Sequence, residues 1–348
     1  MSDVAEIAAV LRRLSPAYAV TPLLDLKELA GRLGIAQVLA KDEGRRMLGS
    51  FKSLGGTYAG LAALARHKGI EIAELVAQRP RDLPALVCAS DGNHGLAVAA
   101  AARFAGAQAK VFLHAGVPQS RAQRIAAQGA AIVWMQGTYD DAVDAAAAAA
   151  QAEGSILVAD TAPDASDRIV RDVMAGYGVI AHEVREQIAA AGGAAPTHLF
   201  VQAGVGGLAA ALADGLRDFL APPARIVAVE PERCACLAAA FAQDRVVRIG
   251  GDLATAAEML SCGEASAPAF EILRAVGAQV VTVSERELED APNLLRGAGG
   301  PATTPSGATG LAGLARVISE MDEPHFALSA ESRVLIVVSE AAVNEADR

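Results

Sequence analysis

The chain has 348 residues, 53% hydrophobic and 20% charged, with 30 Lys+Arg against 40 Asp+Glu and a formal net charge of −10. That length gives room for about two domains or one large α/β unit with a sizeable core. An acidic balance with no basic run argues against nucleic acid and anionic membranes, leaving small molecules as the expected partners. Cys88, Cys234, Cys236 and Cys262 are too few and too scattered for a disulfide framework, and Cys234 and Cys236 lack the two-residue gap of a usual zinc pair. A cytoplasmic protein without a metal site is expected.

A first helix is expected over 4–14; it carries Glu6 just after Asp3 and lacks the basic-then-apolar order of a signal peptide, so no targeting segment is read there. Thr21-Pro22-Leu23-Leu24 follows, where the proline disfavours helix and starts an extended stretch. A second helix over 25–33 closes at Gly34, a short buried strand takes 35–41, and a helix runs over 53–67. From 83 the pattern becomes regular, with strands over 85–89, 109–114 and 131–135 alternating with helices over 95–104, 120–128 and 139–153. A strand over 156–159, a long helix over 167–190, strands over 198–202, 226–230, 279–283 and 334–338, and a helix over 208–220 continue the series. The alanine run 145–150 is short and lies in a segment bounded by acids, so it reads as helix and not as a membrane span.

This alternation predicts an α/β protein with mostly parallel sheets and helices on both faces. The shorter series reads as an insertion in the larger one: a large domain of 1–81 and 163–348, and a small mobile domain of 82–162. A cleft is expected where the strand ends of the two converge.

Four stretches carry candidate chemistry. In Gly49-Ser50-Phe51-Lys52-Ser53-Leu54-Gly55-Gly56, one lysine sits among apolar and small residues, with three glycines that would allow close backbone approach to a ligand. Desolvation there would disfavour the ammonium and make Lys52 a candidate Schiff-base nucleophile. Ser90-Asp91-Gly92-Asn93-His94-Gly95 joins a strand to a helix, where backbone amides could receive a substrate carboxylate; His94 reads as a loop residue without a metal-ligand partner. Gly204-Val205-Gly206-Gly207 lies between a strand and a helix and suits a phosphate. Read as Gly204-x-Gly206-x-x-Ala209 with Glu230 ending the next strand, it also fits an NAD-binding oxidoreductase, in which Glu230 would hold a ribose. Ser339, at the end of an apolar strand, could hydrogen-bond a heterocyclic nitrogen.

These four stretches, in this order, resemble the fold type II pyridoxal-phosphate enzymes over most of the chain. Within that superfamily the likeness is closest to the diaminopropionate ammonia-lyase family. It runs through Lys41-Asp42-Glu43, Phe51-Lys52, Asp91-Gly92-Asn93-His94-Gly95, Asp160-Thr161-Ala162, Gln202-Ala203-Gly204-Val205-Gly206, Val229-Glu230-Pro231 and Cys262-Gly263-Glu264. The resemblance implies two open αβα domains of the tryptophan synthase β-like architecture, pyridoxal 5'-phosphate as cofactor, an amino-acid substrate and a homodimer. It implies that Lys52 carries the cofactor and later removes the Cα proton, that Asn93 contacts the phenolic oxygen, that Gly204, Val205, Gly206 and Gly207 hold the phosphate, and that Ser339 faces the pyridine nitrogen. Ser90, Asp91, Gly92 and His94 would bind substrate, with Asp91 also an acid/base group and Asp160 a second polar contact. A carboxylate beside a carboxylate-binding loop is costly unless a cation joins it, and the β-ammonium of 2,3-diaminopropionate is such a cation.

The implied activity is α,β-elimination of ammonia from 2,3-diaminopropionate, giving pyruvate and ammonia. The chain departs from the family at Thr304-Pro305-Ser306-Gly307-Ala308, where the family carries Gly-Glu-Ser-Gly-Ala. The missing glutamate makes this stretch look closer to the Pro-Ser-Gly-Ala of serine and threonine dehydratases, so a β-hydroxy amino acid dehydratase is the alternative. Pro163 also stands where the family has an aromatic residue. These departures touch substrate identity and leave cofactor attachment intact.

Overall fold

The structure, a computed structural model, describes residues 3–90, 92–137, 139–320 and 324–342. It is an α/β fold with two sheets. The larger runs β1 (Leu23–Asp25), β2 (Gln37–Asp42), β10 (Arg333–Val338), β7 (His198–Gln202), β8 (Arg225–Pro231) and β9 (Gln279–Val283), parallel throughout except for the antiparallel β1–β2 pair. The smaller runs β5 (Ala131–Met135), β4 (Ala109–His114), β3 (Leu86–Ala89) and β6 (Ile156–Leu157), all parallel. The helices are α1 (Val4–Leu14), α2 (Lys27–Leu33), α3 (Lys52–Lys68), α4 (Ile72–Gln78), α5 (Asn93–Ala105), α6 (Gln119–Ala126), α7 (Tyr139–Ala152), α8 (Arg168–Ala190), α9 (Gly207–Leu216), α10 (Cys236–Gln243), α11 (Ala267–Ala275), α12 (Glu285–Gly297) and α13 (Pro305–Ser319).

β10 shows why the large sheet sits in the middle of its layers. Its side chains alternate between two cores: Leu335 and Val337 join the face covered by α1, α8 and α9, while Val334, Ile336 and Val338 join the face covered by α2, α12 and α13. A strand buried on both faces needs a continuous apolar run, and Val334-Leu335-Ile336-Val337-Val338 is one.

α3 is the seam between the two sheets' helices. A Cβ on Gly56 would meet Ala97 of α5 at 2.6 Å, and one on Gly60 would meet Ala101 at 2.7 Å. On the other side, Gly176 of α8 leaves no room for a Cβ against the Gly55 Cα, and a Cβ on Gly55 would collide with the Tyr177 ring. Gly55 and Gly56 therefore serve helix crossing rather than ligand approach, correcting the reading of that stretch. Gly49, at φ +78°, is a turn residue in the left-handed region. Two further differences concern short or glycine-bounded elements. α4 has no counterpart in the sequence reading, and α5 begins at Asn93, so Asn93 and His94 lie in a helix's first turn instead of a loop.

A second feature holds α8 to β2. Lys41, Glu43, Arg46 and Glu183 form a sealed cluster with two positive and two negative side chains. The Lys41 ammonium donates to the Thr21 carbonyl at 2.8 Å, Glu183 Oε2 at 2.7 Å and Gln187 Oε1 at 2.9 Å. Arg46 bonds both Glu43 and Glu183. Equal charge and full hydrogen bonding are what make such burial tolerable. No helix among the described residues is long and apolar enough to cross a membrane.

Candidate active site

Parallel strands direct the helices that follow them so that their N-termini gather at one edge. Lys52 is the first residue of α3, Asn93 of α5 and Gly207 of α9, while Thr304 caps α13. Each N-terminus offers unpaired amides and a partial positive charge. Hydrogen bonds and close contacts bind these ends together. Phe51 N donates to the Ser339 carbonyl at 3.1 Å, fixing the residue before Lys52 against the end of β10. The Glu340 carboxylate accepts from Asn93 Nδ2 at 2.6 Å and from Thr304 Oγ1 at 2.5 Å.

Lys52 is partly buried, its side chain 22% exposed, and its ammonium pairs with Asp160. The amine also lies 5.9 Å from the centre of the Phe51 ring. Burial alone would push the amine down, as the sequence suggested. The Asp160 carboxylate and the hydrogen bond it accepts outweigh burial and hold Lys52 well above the ordinary lysine range. Asp160 is correspondingly held below the usual carboxylate range, Lys52 offsetting its burial. Lys52 is therefore an ammonium paired with Asp160, not a free amine, which corrects the expectation of a depressed lysine.

Around this pair the other candidate residues are placed as follows. His94 is buried, its Nε2 2.8 Å from the Val158 carbonyl, and burial pushes its imidazole down. Ser90 Oγ accepts from Gly92 N at 3.3 Å, closing a small turn. A Cβ on Gly92 would meet Met259 Sδ at 3.0 Å. Asp91 lies outside the described residues. Ser339 is buried at the C-terminal end of β10.

In the glycine turn, Gly206 adopts φ +93° and caps α9, a conformation that disfavours a side chain. Gly207 faces the Tyr177 ring, with a Cβ there 3.7 Å from Tyr177 Cε2, and the Tyr177 hydroxyl is buried with no hydrogen-bond partner among the described residues. Cys262 backs the turn, its Sγ 3.1 Å from where a Gly204 Cβ would lie. A helix N-terminus of glycines beside an unpartnered buried hydroxyl is a cradle for an anion.

Glu230, the residue the nicotinamide reading assigned to a ribose, is buried and already engaged. Its carboxylate accepts from Leu237 N at 2.7 Å and Ala238 N at 2.8 Å, holding the start of α10. That engagement removes the acid that a dinucleotide fingerprint requires and overturns the NAD reading.

These features fit pyridoxal phosphate: a lysine for its aldehyde, an anion cradle for its phosphate, and polar groups between them. A family profile described as pyridoxal-phosphate dependent enzyme matches residues 14–340. The chain belongs to that family. Among its relatives are diaminopropionate ammonia-lyases: that of Salmonella typhimurium is 36% identical over 282 residues, 77% of this chain and 69% of the relative. That of Escherichia coli strain K12 is 33% identical over 287 residues, 81% of this chain and 72% of the relative. The crystal structure of the holo Escherichia coli enzyme superposes with a TM-score of 0.86 at 30% identity, covering 97% of this chain and 88% of that one. The protein is thus a fold type II pyridoxal-phosphate enzyme, as its motifs suggested.

Two residues of the site escaped the sequence reading. Tyr177 lies inside a long amphipathic helix, where an aromatic ring reads as core. Glu340 directly follows Ser339. An acid at the end of a doubly buried strand was its one available signal.

Proposed function

We propose that the protein is a carbon–nitrogen lyase that converts 2,3-diaminopropionate and water to pyruvate and two molecules of ammonia. The observation that carries this reading is the Lys52–Asp160 pair, set among converging helix N-termini beside the Gly204–Gly207 cradle. Lys52 would hold the cofactor's aldehyde carbon, Gly204, Val205, Gly206 and Gly207 would hold its phosphate with the Tyr177 hydroxyl, and Asn93 and Ser339 would face its phenolic oxygen and pyridine nitrogen. Bound there, the cofactor supplies an electron sink for the charge left at the substrate's Cα.

The chain's own side chains do the rest. The amides at the start of α5, with Ser90, Gly92 and His94, receive the substrate carboxylate. The Lys52 amine takes the Cα proton. Asp160, in contact with Lys52, and Asp91 supply negative charge to a substrate that carries a second ammonium, which a hydroxy amino acid does not. The small unit of 82–162 closes over the substrate, and the protein works as a cytoplasmic homodimer. Incubation of purified holoenzyme with 2,3-diaminopropionate, serine or threonine tests the reading. Pyruvate and ammonia in a one-to-two ratio from the diamino acid, at rates well above those for serine and threonine, are expected; turnover of the hydroxy amino acids alone would assign a dehydratase.

A further inference from the structure

A buried carboxylate lies beside Thr304-Pro305-Ser306-Gly307-Ala308. It belongs to Glu340, which is 8% exposed and reaches Thr304 from the end of β10. Its backbone is fixed on two sides: Ser50 and Glu340 form an isolated antiparallel bridge, and the Glu340 carbonyl accepts from Thr303 Oγ1 at 2.5 Å. Its Oε2 spans to Asn93 on the inserted segment, 247 residues earlier in the chain. Burial pushes the Glu340 carboxyl up, while the hydrogen bonds from Thr304 and Asn93 and the charges of Lys52 and Arg121 work against it.

We propose that Glu340 is a positioning residue of the cofactor site, which orients the Asn93 carboxamide from the end of the last strand. The proposal rests on the cofactor reading above. A carboxamide free to flip presents its oxygen or its nitrogen with nearly equal ease. The Glu340 Oε2 that Asn93 reaches is an acceptor, so it turns the amide nitrogen toward itself and commits one N–H. The second N–H on the same nitrogen is then fixed in direction and left for the phenolic oxygen. Thr304, bonded to the other carboxylate oxygen, keeps Glu340 from swinging away.

The test is titration of the cofactor-stripped full chain with pyridoxal 5'-phosphate, followed by visible absorbance. Glu340→Ala should weaken cofactor binding about tenfold, the scale of one lost charge-assisted hydrogen bond, and alter the visible band. Glu340→Gln can still accept from Asn93 through its carbonyl and donate to the Thr304 hydroxyl, and should stay within about threefold of the parent. Asn93→Ala combined with Glu340→Ala should be no weaker than either single variant, because the two act as one unit. Should Glu340→Ala precipitate, Glu340→Leu keeps the volume and carries the same expectation. Unchanged affinity and band in Glu340→Ala, additive losses in the double variant, or equal losses in the Gln and Ala variants would each overturn the proposal. Failure of the parent chain to bind the cofactor would instead sink the cofactor reading, and this inference with it.

Discussion

Lys41 and Lys52 each pair with a carboxylate contributed from far along the chain, and burial has opposite outcomes at the two. Lys41 is wholly enclosed. Burial pushes its amine down, with Glu183 and Glu43 working against it. Lys52 stands at the mouth of a helix with part of its side chain in the cleft, and Asp160 pushes its amine up. A depressed amine is usually taken as the mark of a reactive lysine. Here the depressed one has all three donors occupied and is fully buried, while the raised one is partly exposed and shares Tyr177 and Cys262 as neighbours with the anion cradle. Access and neighbours, rather than desolvation, separate the sealed lysine from the candidate one.

The comparison can be broken most sharply at Lys52. Replacing it by Ala should lower turnover by on the order of 10³-fold or more, since under the proposed function it removes both the attachment point and the proton acceptor. Its thermal midpoint should also fall, because Asp160, only 18% exposed, loses the charge that offsets its burial. A variant that still turns over at a tenth of the parent rate would end the assignment.

Glu183→Ala acts chiefly on stability. It leaves Lys41 and Arg46 buried with one carboxylate between them and should cost about 3–5 kcal/mol in urea unfolding. The fraction that stays folded should bind cofactor as the parent does.

Asp160→Asn sharpens the contrast. With the carboxylate gone, the Lys52 amine falls from its raised value, and each unit of fall gives about tenfold more neutral amine at a given pH. Attachment of cofactor to stripped protein should speed up with rising pH in both proteins, and at pH 7 should be about tenfold or more faster in the variant. Equal rates would show that Asp160 does not set the charge on Lys52.

The smallest effect is expected at Glu230. Burial pushes its carboxyl up to about 7, against the hydrogen bonds from Leu237 and Ala238. A carboxyl raised in the folded state favours folding fully below its unfolded value of about 4.3, and that contribution is lost as pH rises through the folded value. Relative to Glu230→Gln, the parent should therefore lose about 1 kcal/mol or more of stability between pH 5 and pH 8. Urea midpoints of the two proteins at both pH values measure it; a constant difference would refute the buried acid.

The fold was legible where local pattern sufficed. The strands over 109–114, 131–135, 198–202 and 279–283 coincide with β4, β5, β7 and β9, because short apolar runs between glycine turns leave little choice. α4 was missed because a short helix after a glycine cap has too few turns to show a period. The glycines of α3 were misread because packing against Tyr177 and Ala97 cannot be seen from their own neighbours in the chain. In the site, the lysine, the Asn93 loop, the glycine turn and Ser339 each carried a local signature. What joins them did not: Lys52 meets Asp160 across 108 residues, and Asn93 meets Glu340 across 247. The charge on Lys52 followed from such a partnership, which is why desolvation alone gave the wrong sign.

Under the proposed function the cofactor joins Lys52 and no other lysine. Borohydride reduction of the holoenzyme, followed by peptide mass mapping, locates that bond. The reduced adduct should lie on Lys52, with Lys41 recovered unmodified; an adduct on any other lysine, or none with Lys52 at its native mass, would contradict it.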